Sequence, residues 1–160
     1  MRPAAVAALV AIVTACSEPA EEPEIDIEQM NEDARGPAVP IELQVIGYPD
    51  IEKYELFGAS CAFSPEGGGL GAVVLAMQEG GYLKIDGRIE KFAPDAGSAE
   101  QPYGTRSKHD GLERSFELEI DQEAGKQSGY ETINYPATLT VRDASDREVY
   151  LSEGMAQCGA

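Results

Sequence analysis

The chain has 160 residues, 12 of them basic and 29 acidic, for a formal net charge of -17. That balance argues against nucleic acid as a partner, because such binding relies on Lys and Arg to neutralise phosphates. It argues equally against attraction to anionic lipid, and it leaves cations and basic proteins as the partners that charge favours.

Met1-Arg2-Pro3 precedes an apolar run from Ala4 to Val13, and Thr14-Ala15 then leads to Cys16. A short positive start, a hydrophobic middle and small residues make the pattern of a secretory signal peptide over residues 1–15. The run is too short for a stable membrane span, which takes roughly 20 apolar residues. With the cysteine directly after Ala15, the segment resembles the lipobox of bacterial lipoproteins. The resemblance implies lipidation of Cys16, with diacylglycerol on its thiol and a further acyl chain on the new amino terminus. Each buried methylene contributes about 0.8 kcal/mol, and about two chains suffice for stable anchoring. Ser17 stands where inner-membrane lipoproteins of Gram-negative bacteria carry Asp. The implied location is the bacterial cell envelope, lipid-anchored and facing the periplasm, with the outer membrane favoured over the inner.

Residues 16–40 read as a lipidated, disordered acidic tether. The segment holds Pro19, Pro23, Pro37 and Pro40 and a row of acids from Glu18 to Asp33, against the single base Arg35. It has no aromatic residue, so it cannot bury enough apolar surface to offset its conformational entropy. Prolines and like charges keep it extended, with a reach on the order of 80 Å at about 3.3 to 3.6 Å per residue.

Three cysteines are an awkward count for an exported protein. If Cys16 carries lipid, Cys61 and Cys158 remain, and an oxidising periplasm favours a disulfide between them. The alternatives are free thiols or a metal site; with one histidine in the chain, a zinc site is poorly supplied with ligands.

A single β domain is expected over residues 41–160, where all the tyrosines and phenylalanines lie. The dominant hydrophobic period there is two. Phe57 to Phe63 places Cys61 on the inward face of a strand. Ala72 to Met77 is continuously apolar and reads as a strand covered on both sides. Asp86-Gly87, between Tyr82–Ile85 and Arg88–Phe92, is a hairpin turn of type I′. Tyr103 to Lys108 reads as a further strand, turned by His109-Asp110-Gly111. Phe116 to Asp121 alternates, with carboxylates at Glu117, Glu119 and Asp121 facing outward. Gln122 to Gly129 is a longer turn with room for one helical turn. Pro136 limits any strand through Tyr130 to Tyr135 to an edge or a start. Thr138 to Val141 and Arg147 to Leu151 flank a turn at Asp143–Asp146. The sum is an all-β fold, a small antiparallel barrel or sandwich of seven to nine short strands, with no long helix.

The candidates for chemistry are few. His109 sits among turn formers and reads as a solvated loop histidine, not as a catalytic base. Gly58-Ala59-Ser60-Cys61-Ala62 lacks the final glycine and the helix of a nucleophile elbow. Gly67-Gly68-Gly69 precedes a strand and no lysine follows as a phosphate loop requires, so it reads as a hairpin loop. The row Glu117, Glu119 and Asp121 reads as a solvated face, with a cation or basic partner as the sharper idea. Asp143-Ala144-Ser145-Asp146 lacks the terminal Glu of a calcium loop. No catalytic residue, cofactor or metal is therefore expected. The leading expectation is a non-enzymatic binding or structural module of the cell envelope. The layout of lipobox, acidic tether, small barrel and two cysteines in an early strand and near the terminus is similar to the lysozyme-inhibitor lipoproteins. That similarity implies inhibition of a basic hydrolase as the alternative; Gln101-Pro102-Tyr103-Gly104 does not match that family's inhibitory loop, so no inhibitory residue is carried over.

Overall fold

The computed structural model describes residues 36–69 and 71–160, together with residues 27, 30, 31 and 34. Cys16, the leader and most of the tether lie outside the described residues. The chain divides into two compact units, Met1–Gly36 and Pro37–Ala160, and the strands described below belong to the second. Among the described residues no helix is long and apolar enough to cross a membrane.

The strands are β1 (Ser60–Pro65), β2 (Val74–Met77), β3 (Gly80–Ile85), β4 (Arg88–Pro94), β5 (Lys108–Asp110), β6 (Arg114–Ile120), β7 (Lys126–Gln127), β8 (Ile133–Asp143) and β9 (Glu148–Gly159). They pair antiparallel in the order β6-β5-β4-β3-β2-β1-β9-β8-β7, and β6 also pairs with β8. That last pairing closes an eight-stranded barrel and leaves β7 as an extra strand on β8. The fold is thus the expected all-β class, and it is a barrel, not a sandwich. The expected hairpin turn is present: Asp86 and Gly87 have φ of 50° and 75°, and Ile85 pairs with Arg88.

Alternation decides which side chains fill the barrel. The interior takes Cys61, Phe63, Leu83, Phe92, Phe116, Leu118, Leu139 and Val141, all buried. Eight strands leave an interior about wide enough for side chains to fill. Two glycines are placed by close packing. A Cβ on Gly81 would run into the Phe116 ring, and one on Gly154 would meet the Ser64 carbonyl and the Phe63 ring. The segment around Ala38, Ile41 and Leu43 packs against this interior cluster, and the Ile41 N–H donates to the Val149 carbonyl at 3.0 Å.

One outer face is covered. Leu75, Met77 and Tyr82, which alternate with the interior residues of β2 and β3, form a second apolar cluster with Ile46 and Leu56. A short helix, α1 (Tyr48–Tyr54), lies in this region. β2 is therefore buried on both sides, as its continuous apolar run implies. Asp50 fastens α1: its carboxylate accepts from the Gly47 N–H at 2.9 Å and pairs with Lys84 of β3 at 2.7 Å. The hydrogen bond from Lys84, then that from Gly47, holds its carboxyl below the usual range.

Three sequence expectations are corrected. Tyr103 to Lys108 is not a strand: Pro102–Gly104 is a 3-10 turn in which Tyr103 and Gly104 have φ of 59° and 70°, values that break a strand. His109 is not a loop residue; it is the centre of β5. Pro136 neither starts a strand nor marks its edge, for β8 runs through it. Its carbonyl accepts from the Asp121 N–H at 2.9 Å. A residue's N–H and C=O point to the same side of an antiparallel strand, so its missing N–H falls between the β7 and β6 ladders. No bond to β9 is lost.

Candidate functional site

The covered face has an uncovered counterpart. Across β1, β9, β8 and β6 the outward residues line an open groove of about 1030 Å³. The registers arrange those residues in rows that cross the strands. Glu66, whose N–H donates to the Glu153 carbonyl, begins an acidic row that continues through Glu153, Thr138 and Glu119. The next row has Met155 opposite Pro136 as an apolar centre, with Ser64 opposite Met155 on one side and Asp121 beside Pro136 on the other. The third row is amide, with Gln157 opposite Asn134. Neighbouring rows lie roughly 6.6 Å apart along a strand, and four strands cover about 14 Å.

Each row has its own chemistry. Glu66, Glu119 and Glu153 are exposed, and among the described residues none of them has a cationic partner. Asp121 adds a fourth carboxylate at the groove wall. One of its oxygens accepts from the Glu123 and Ala124 N–H groups at 3.1 and 3.2 Å, which starts the 3-10 turn Gln122–Ala124. Met155 is 44% exposed although it lies mid-strand. In the amide row, the Gln157 side chain donates to Asn134 Oδ1 at 3.1 Å, and Ser128 Oγ lies 3.0 Å from the same oxygen. Lys126 of β7 stands opposite Asn134. The groove therefore runs from a negative side, over an apolar floor, to a polar side bounded by a lysine. It can receive cationic and apolar side chains together.

The residues singled out in the sequence are placed as follows. Cys61 and Cys158 face each other in the β1–β9 register and form a disulfide, with Cα atoms 4.0 Å apart. Both are fully buried inside the barrel. Ser60 begins β1 and is followed by strand, not helix. Gly67, Gly68 and Gly69 lie in the loop between β1 and β2, and Gly69 reaches the groove rim. Of the carboxylate row, Glu119 and Asp121 enter the groove, whereas Glu117 pairs with Lys108 in the β5–β6 register. Asp143 holds the β8–β9 turn. One oxygen accepts from the Ser145 and Arg147 N–H groups at 2.8 and 3.0 Å, and the other from Arg147 Nε and Nη2 at 2.9 and 2.6 Å. The Arg147 guanidinium, helped by those backbone donors, lowers its pKa to about 2.

His109 is fully buried and stacks on Phe116, with ring centroids 4.6 Å apart. Burial lowers its pKa from 6.5 to about 4, against a smaller opposing pull from Asp110. Tyr103 of the Gln101–Gly104 turn is exposed, and its hydroxyl donates to the Glu131 carbonyl at 2.7 Å. Sequence reasoning missed the groove because it ended the last strand at Leu151. The legible signal was Met155 at an outward position, two residues from Glu153 and from Gln157.

Fold and groove together define an eight-stranded antiparallel barrel with one clad face and one open, acid-rimmed face. No protein family, curated protein or solved structure matches the chain.

Proposed function

We propose that this chain is an exported lipoprotein, anchored through Cys16 in the bacterial envelope, whose barrel is a non-enzymatic module that binds a basic protein in the groove. The observation that carries this reading is the row of carboxylates without a cationic partner among the described residues, Glu66, Glu153 and Glu119, beside the exposed apolar pair Met155 and Pro136. Opposed charge accelerates encounter and fixes orientation, while burial of Met155 and Pro136 would supply the non-directional part of the affinity. The tether would set the distance between barrel and bilayer. The disulfide between an early strand and the last one also fits the layout of the lysozyme-inhibitor lipoproteins, so a basic hydrolase is the second reading.

The test is crosslinking and affinity purification from intact envelopes, with the charge-reversed pair Glu119→Lys and Glu153→Lys as control. Retention of a basic partner by the unaltered protein, reduced at least about tenfold by the reversal and by raised salt, supports the reading. Equal retention by both forms removes the groove from it. Loss of activity of a basic muramidase at near-stoichiometric ratio selects the inhibitor reading over the envelope module.

A further inference from the structure

One strand of the barrel is much shorter than the gap it bridges. β5 meets β4 only through Ala93↔Asp110 and Pro94↔His109. It meets β6 through Lys108↔Glu117, His109↔Phe116 and Asp110↔Ser115. Beyond those pairs the seam is held by the Asp95 N–H on the Lys108 carbonyl at 2.9 Å, the Leu118 N–H on the Ser107 carbonyl at 2.7 Å, the Gly111 N–H on the Arg114 carbonyl at 2.8 Å, and the ion pair of Glu90 in β4 with Arg114 in β6. From Arg88 to Phe92, β4 has β3 on one side and no paired strand on the other among the described residues. By contrast, the β6–β8 ladder runs the full length of β6, and the β8–β9 ladder runs from Ile133 to Arg142.

The inward side chain of β5 is His109. Its ring lies nearly parallel to that of Phe116, at 11°, and Phe116 meets Phe92 edge-on at 5.2 Å. Gly81 of β3 backs the imidazole so closely that a Cβ there would stand 2.8 Å from Cδ2. Neither ring nitrogen has a hydrogen-bond partner among the described residues. A neutral imidazole serves there as an aromatic plate. An imidazolium has two N–H donors and a full charge, and this cage offers nothing to receive them.

The charged groups around it are engaged elsewhere. Lys108 and Asp110, on either side in β5, pair with each other at 3.4 Å, and both are solvent-accessible. Glu90 of β4 and Arg114 of β6 pair at 3.2 Å. The residues that face the ring or pair with it from β3, β4 and β6 are Gly81, Pro94 and Phe116, none of which titrates.

We propose that β5 is an acid-operated latch: a proton taken up by His109 draws the ring out of the barrel, releases β5 from β4 and β6, and opens the seam between them. The Cys61–Cys158 bridge and the long β8–β9 and β6–β8 ladders keep the rest of the barrel closed. The sign follows from linkage. The closed form binds the proton only near pH 4, whereas the released imidazole binds it near 6.5. Opening is therefore favoured as pH falls from 6.5, by about 160-fold at pH 4 and by up to about 300-fold well below it.

Amide exchange of the full chain, followed by NMR from pH 7 to pH 4 and corrected for intrinsic rates, tests this. Protection at the Asp95 and Leu118 amides should fall by about 100-fold relative to β8–β9 amides, and His109→Phe should abolish the excess. Equal pH dependence in the two proteins overturns the latch. So does loss of β8–β9 protection in step with β5, which would mean global unfolding. If the phenylalanine variant does not fold, the imidazole titration of the unaltered protein decides. A folded-state midpoint near 4 supports the proposal, and one near 6.5 overturns it.

Discussion

Asp143 spends its carboxylate on its own turn. Four donors converge on it, from the Ser145 and Arg147 amides and from the Arg147 guanidinium. Its folded pKa, about 2, lies below the ordinary 3.8. The stabilisation that this group contributes is therefore fully present above about pH 4 and is lost as the pH falls through about 2. Asp143→Asn should lower the urea midpoint at pH 7, and the difference from the unaltered protein should shrink toward zero at pH 2. A difference that persists unchanged at pH 2 would mean that the charge is not what holds the turn. His109 shows how far a single residue can escape sequence reading. Its chain neighbours Asp110 and Gly111 are turn formers, and they suggested solvent. Its surroundings in space are Gly81 and Phe116, brought to it by strand pairing from positions 28 residues before it and 7 after it. A local window cannot contain the first of these.

At the scale of elements, the readable parts were those set by short-range rules. Asp86-Gly87 sits where positive φ is needed, and both residues adopt it. The continuous apolar run in β2 meant burial on two sides, and the interior and the α1 face supply those sides. The parts that were not legible depended on partners. Helix α1 has Pro49 near its start and Asp50 in its first turn, which are start signals, but seven residues are too few for a helical period to stand out. Gly154 is where β9 has no room for a side chain against Phe63, a contact that no local window contains. Cys61 and Cys158 join β1 to β9 across 97 residues of chain. Closing a loop of that length contributes about 4 to 5 kcal/mol on the chain-entropy model. Cys61→Ala with Cys158→Ala should lose a comparable amount in equilibrium denaturation. Retention of full stability would mean that the β1–β9 ladder alone secures the seam.

For the molecule as a whole, the two outer faces differ in kind. One is clad by α1 and the segment before it, with Leu75, Met77 and Tyr82 beneath. The other exposes Met155 and Pro136 between a carboxylate row and an amide row. A net charge of -17 gives the chain a long-range field that favours basic partners, and under the proposed function the groove would give that preference a place and an orientation. The most direct measurement places a photocrosslinking residue at Met155, in the groove, and separately at Tyr54, on the clad face, in intact bacteria. The account predicts adducts with a basic protein from Met155 and far fewer from Tyr54. Adducts from Tyr54 with none from Met155, or equal yields of the same adducts from both, would contradict it.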